Sequence, residues 1–191
     1  MSHFEFLMVL AGIVVAVAMT ETVGGLGRLI RARGRVTFDW LHLGWSYVVL
    51  LFSMLYWHGM WPYQAIEFTY VGQIWLLVIP TLFLVIVAFA LSPEIQGDAD
   101  LIVREYFLEK RRPIFAGLAT FIAMAWVADF AITRNLFVAD IATTLGLIAV
   151  FLLLAHSSKI WVHTMLLVLV ASFLSAAGFQ EVSVSLARFD V

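Results

Sequence analysis

The chain has 191 residues, of which 63% are apolar and only 13% charged, and its mean hydropathy is +1.01. A soluble domain of this size covers itself with about a quarter charged residues, so this chain has too little polar surface to face water, and lipid is its solvent. The net charge of −2 says nothing about partners, no basic tract suggests nucleic acid, and the lack of cysteine excludes disulfides, thiolate metal sites and cysteine nucleophiles.

A spanning helix needs about 20 mostly apolar residues. Six segments qualify: residues 4–26, 38–61, 70–91, 113–132, 136–155 and 160–179. Backbone polar groups in lipid must be satisfied within the segment or by closure of a barrel. These runs show no period-2 alternation, so the predicted fold is an all-α integral membrane bundle of six transmembrane helices, a single transmembrane domain over 1–191.

The first span is preceded by Met1-Ser2-His3-Phe4-Glu5, without the basic leader of a signal peptide, and is expected to be retained. Within it Gly12, Ala16, Thr20 and Gly24 recur every four residues, a small-residue face of the kind that lets helices approach closely. Glu21 lies beside that face, well inside an apolar stretch, where an ionisable residue is a functional candidate by default. Thr20 offers a hydroxyl next to it, and Gly24, Gly25 and Gly27 could bend or unwind the helix, as at transporter ion sites. The competing expectation is a span that ends near Thr22 and leaves Glu21 at the interface, paired with Arg28.

The first connection carries Arg28, Arg31, Arg33 and Arg35, the third Arg104, Lys110, Arg111 and Arg112, and the fifth Lys159. Nine of the eleven basic residues thus share one side, which the positive-inside rule assigns to the cytoplasm, leaving both termini non-cytoplasmic. Trp40, Trp45, Trp57, Trp61, Tyr63 and Trp161 fall near span ends, as interfacial aromatic belts do.

Span 2 opens with Asp39 and His42, three residues apart on one helical side, as in a carboxylate–imidazole proton relay or, more simply, an acidic first turn. In the third connection, residues 98–112 are expected to form an interfacial helix capped by Asp98 or Asp100, with Lys110, Arg111 and Arg112 meeting anionic inner-leaflet lipids and Pro113 starting span 4. Asp129, Arg134 and Asp140 cluster around the turn between spans 4 and 5, where Arg134 is expected to bridge both carboxylates as a clasp, or the carboxylates to line a cation entry.

No cofactor is expected. His42, His156 and His163, all towards the basic side, are the candidates for a rival reading in which the bundle ligates haem b. Phosphate loops, dinucleotide fingerprints, zinc-protease and nucleophile-elbow motifs are absent from the sequence.

The run Gly27-Arg28-Leu29 to Arg33-Gly34-Arg35-Val36, followed by Asp39-Trp40-Leu41-His42-Leu43-Gly44-Trp45, resembles a group of bacterial multi-spanning proteins in which an Arg-rich first loop runs into a Trp- and His-bearing helix. A looser likeness extends through Ser92-Pro93-Glu94 and Arg104-Glu105-Tyr106. The resemblance implies a bacterial inner membrane and no particular chemistry.

The expectation is therefore a small channel or secondary transporter for protons or small ions, with Glu21, Thr20, Asp39 and His42 along its pathway. The alternative is a redox subunit, or a sensor or scaffold without transport. Small faces at Gly12/Ala16/Thr20, Ala116/Ala119/Ala123 and Ser172/Ser175/Gly178 suit tight bundling and a homo-oligomer.

Overall fold

The computed structural model describes residues 2–68, 70–95, 100–134 and 138–187, with the side chains of 138–140 and 179–187 excepted. It is all-α, with six helices: α1 (His3–Arg31), α2 (Trp40–His58), α3 (Val71–Leu91), α4 (Val103–Thr133), α5 (Val138–His156) and α6 (Ile160–Ala187). Five are long and apolar enough to cross a membrane, and in α5 the described apolar stretch is the shorter Ile141–His156. A 3₁₀ turn, Trp61–Ala65, follows α2.

α1 opens on a capping box, in which Ser2 Oγ accepts from the Glu5 N–H (3.1 Å) and Glu5 Oε2 accepts from the Ser2 N–H (2.7 Å). Its buried residues are Leu7, Ala11, Val15, Ala18, Thr22, Gly25 and Leu29, in steps of four and three. Steps of four and three are the spacing that keeps one face of a helix against a neighbour. The face expected from Gly12, Ala16, Thr20 and Gly24 is not this seam: Ala16 and Thr20 are exposed. Gly12 and Ala16 instead line an apolar groove of about 610 Å³ against Met54 and Trp57 of α2. Nor do the glycines break the helix, which runs on to Arg31. Unwinding would strand backbone groups that lipid cannot solvate.

The third connection also departs from expectation. Leu101–Ile102 (β2) pairs in parallel with Val36–Thr37 (β1), Val36 opposite Leu101 and Thr37 opposite Ile102. From Val103 a single helix continues through Pro113 to Thr133, in place of a separate interfacial helix over the described part of 98–112; Asp98 lies outside the described residues. The reason lies in the buried face. Val103, Phe107, Ile114, Phe115, Leu118 and Phe121 all point into the bundle, so the segment before Pro113 is anchored in register with the segment after it. Pro113 is exposed, and the carbonyl it leaves without an N–H belongs to exposed Glu109. At 1.5 Å per residue a 31-residue helix is about 46 Å long, well beyond a hydrocarbon core of about 30 Å.

α3 packs between α1 and α4, α4 also packs on α5, and α2 bears on α1 and α6. The largest buried cluster among the described residues sets aromatic rings among Leu, Val, Ile and Ala side chains. Trp45 meets Phe115 edge-on at 4.8 Å, Phe52 meets Phe121 at 5.7 Å and Phe151 at 5.9 Å, and Phe115 stacks on Phe151 at 6.4 Å. Trp45, expected in an interfacial belt, is fully buried here, whereas Trp40, Trp57, Trp61 and Trp161 are exposed. Val9, Ile13, Val17, Ile86, Phe89, Met165 and Val168 form part of the outward apolar surface that lipid would cover.

Candidate functional site

The C-terminal end of α3 organises the polar residues of the basic end. A helix leaves its last carbonyls without intrahelical partners, and in a membrane protein each needs one. Here Tyr106 of α4 donates its hydroxyl to the Ala90 carbonyl (3.0 Å), and His42 Nε2 donates to the Leu91 carbonyl (2.7 Å). Ser92, the residue after the helix, donates Oγ to the Glu21 carbonyl of α1 (3.0 Å). That approach requires a glycine at 25, since a Cβ there would lie 2.9 Å from Ser92 Cβ and 3.2 Å from Ser92 Cα.

The Glu21 carboxylate pairs with Arg28, seven residues on along the same helix, and the two side chains retain 19% and 35% of their surface. The pair expected only for a helix ending early thus forms on a helix that does not end. Glu21 is half-buried, at the level of the α3 terminus, with its charge met from its own helix. Thr20 beside it is exposed.

Asp39 caps α2, accepting from the Leu41 N–H at 2.9 Å, and pairs with Arg104 near the start of α4. Its side chain is 2% exposed. The sequence places Asp39 and His42 one turn apart, but their bonds lead elsewhere, to Arg104 and to α3. Both act as ties between elements. With the β1–β2 pairing and the Leu101 N–H donated to the Arg35 carbonyl (2.9 Å), they fasten the first connection to the third.

At the opposite end Asp129 accepts the Tyr63 hydroxyl at 2.6 Å, joining α4 to the 3₁₀ turn. Arg134 ends α4 in the left-handed region, φ 55°, and its N–H reaches the Phe130 carbonyl (3.0 Å). The bond found on Asp129 comes from Tyr63, and the Asp140 side chain lies outside the described residues. Tyr56 donates to the Leu77 carbonyl (2.7 Å) and Thr81 to Val78 (2.6 Å), where Pro80 loosens the α3 ladder.

The remaining histidines are dispersed. His156 is exposed and its Nδ1 donates to the Leu152 carbonyl (2.8 Å). His163 is fully buried, with Nε2 donating to the Ser157 carbonyl at 2.9 Å and its ring against Phe107 and Phe115. Among the described residues no three His, Asp or Glu side chains converge as a metal site would need. Lys110 pairs with Glu109 (3.1 Å), Arg111 bonds the Leu108 carbonyl, and Arg112 is exposed.

Sequence reading missed Arg104, Ser92, Tyr106 and Tyr63 as partners. Only Ser92-Pro93, a helix-stop signal after an apolar run, hinted at the α3 terminus. No family model, curated protein or solved structure matches the chain. The likeness of the first loop and α2 to bacterial multi-spanning proteins therefore rests on those residues alone, and what the structure establishes is an all-α bundle whose helices include five able to span a membrane.

Proposed function

We propose that this chain is a multi-pass protein of a bacterial plasma membrane, with its basic end in the cytoplasm and both termini outside, and that it serves as a helical scaffold or sensor with no conduction pathway through one copy. One observation carries this reading: the carboxylates Glu21, Asp39 and Asp129 and four buried hydroxyls already have structural partners. Glu21 is held by Arg28, Asp39 by Arg104 and the α2 terminus, and Asp129 by Tyr63. The buried hydroxyls of Thr22, Ser46, Ser53 and Thr81 each bond a carbonyl of their own helix. Asp39 and Asp129 tie separate elements together, the other groups are met within their own helices, and together they offer an ion no continuous set of ligands. On this reading Arg112 and its basic neighbours Lys110 and Arg111 contact anionic inner-leaflet lipids. The exposed small residues Ala16 and Thr20 would serve a homo-oligomer contact.

The transport reading, protons or small ions carried by Glu21, keeps one favourable observation. The carboxylate is still 19% exposed and its cation partner comes from its own helix, so exchanging that partner leaves interhelical bonds intact. Flux of protons and monovalent cations in proteoliposomes separates the two. No flux above protein-free vesicles, and no Soret band from the purified protein, is expected of a scaffold. A flux abolished by Glu21→Gln would establish transport, and a Soret band lost on His42 substitution would establish the haem alternative.

A further inference from the structure

The apolar groove between α1 and α2 has dimensions that select its occupant. Val15 is buried within it, while Val9, Ala16 and Met54 are exposed, so the groove opens away from the bundle. Left empty, such a hollow would forfeit dispersion contacts along its whole lining. The stretch of α1 from Met8 to Met19 is about 16 Å long at 1.5 Å per residue. That is about the depth of one leaflet, half of a hydrocarbon core of about 30 Å. Spread over this length, a volume of about 610 Å³ gives a mean section of roughly 40 Å², whereas a helix 10–12 Å across needs about 80–110 Å². The helix of a second copy is too thick to enter, and it would run the full depth of the bilayer. A hydrocarbon tail, one carbon wide and one leaflet long, fits both dimensions.

The walls have matching chemistry. Met8, Met19 and Met54, three of the seven methionines, can follow a tail through its varied conformations. The polar tips, Trp57 and His58, lie together in the last turn of α2, at the end remote from Arg28 and Arg31 of α1. Indole rings settle at headgroup level, where the N–H meets ester and phosphate oxygens. Gly12 admits this ring, since a Cβ there would come within 3.3 Å of Trp57 Nε1.

We propose that the groove binds an acyl tail of an outer-leaflet phospholipid, with Trp57 and His58 meeting its headgroup region. The proposal rests on the membrane-spanning reading above, and the choice of leaflet on its orientation. The small face of α1 then has two neighbours: the tail beside Gly12 and Ala16, and another copy of the chain from Ala16 inward to Thr20.

The test uses the full chain in nanodiscs of phosphatidylethanolamine and phosphatidylglycerol, with a trace of phosphatidylglycerol carrying a photoactivated diazirine on one tail. A diazirine near the ester should label Met8 and Trp57, and one at the tail's end should label Met19. Each should exceed several-fold the labelling of Trp75 and Leu82, exposed residues at matching depths on α3. Ala16→Leu fills the groove and should abolish that excess while leaving the labelling of α3 unchanged. An excess that survives this substitution, or groove labelling no greater than on α3, would overturn the proposal. So would groove labelling that vanishes when two copies share one nanodisc, which would give the groove to a second chain. Protease access to the N-terminus in sealed vesicles reads orientation separately. A cytoplasmic N-terminus would overturn the orientation, and with it the leaflet, while the order of labelling along α1 would still identify the occupant.

Discussion

Replacing Gly25 with alanine tests the joint between α1 and the α3 terminus. The new methyl would sit 2.9 Å from Ser92 Cβ, closer still to Ser92 Oγ, and 3.2 Å from Ser92 Cα, a backbone atom that cannot swing aside. α1 must therefore move away from Ser92, which loosens the 3.0 Å bond from Ser92 to the Glu21 carbonyl. Overpacking costs about 1–3 kcal/mol and the bond about 1 kcal/mol. Alanine's better helix propensity offsets about 1 kcal/mol of this. The net expectation is a loss of roughly 1–3 kcal/mol, the range set by the overpacking cost. Gly24→Ala is the control, because a Cβ there meets only Arg28 Nη1, at an ordinary 3.6 Å. Its expected effect is neutral or stabilising by up to about 1 kcal/mol. Reversible unfolding of both variants in mixed micelles reads the difference. Equal midpoints for Gly25→Ala and Gly24→Ala would refute the close approach as the reason for glycine at 25.

Asp39 offers two separable roles. Asp39→Ala should lower stability by about 1 kcal/mol or more through loss of the α2 cap, while Asp39→Ser, which keeps a capping oxygen, should recover much of that loss in the same titration. A serine variant as unstable as the alanine one would assign the effect to Arg104 instead. At the far end, Tyr63→Phe and Asp129→Asn should each cost about 1 kcal/mol, and the double variant less than the sum. Additivity in that cycle would mean that the 2.6 Å bond does not couple them.

The composition alone determined the solvent of this protein, and the apolar run lengths determined its helical class, because lipid admits few backbone solutions. The six helices lie where those runs lie, and even the Glu21–Arg28 pair was foreseeable as two charges near one span end. Tertiary structure decided what the runs could not encode. Pro113 looked like a helix start, yet Phe107 and Phe115 are buried on one continuous face, and packing carried α4 through the proline. Asp39 and His42 looked like partners at helical spacing. The unpaired carbonyls of α3 and the guanidinium of Arg104, 49 and 65 residues away, claimed them instead. Which face of α1 is buried was likewise settled by the neighbour: Ser92 needed Gly25, so the seam runs through Ala18, Thr22 and Gly25 and leaves Ala16 and Thr20 outside. A sequence shows which polar groups must find partners in lipid. Only the folded bundle brings together the distant groups that satisfy them.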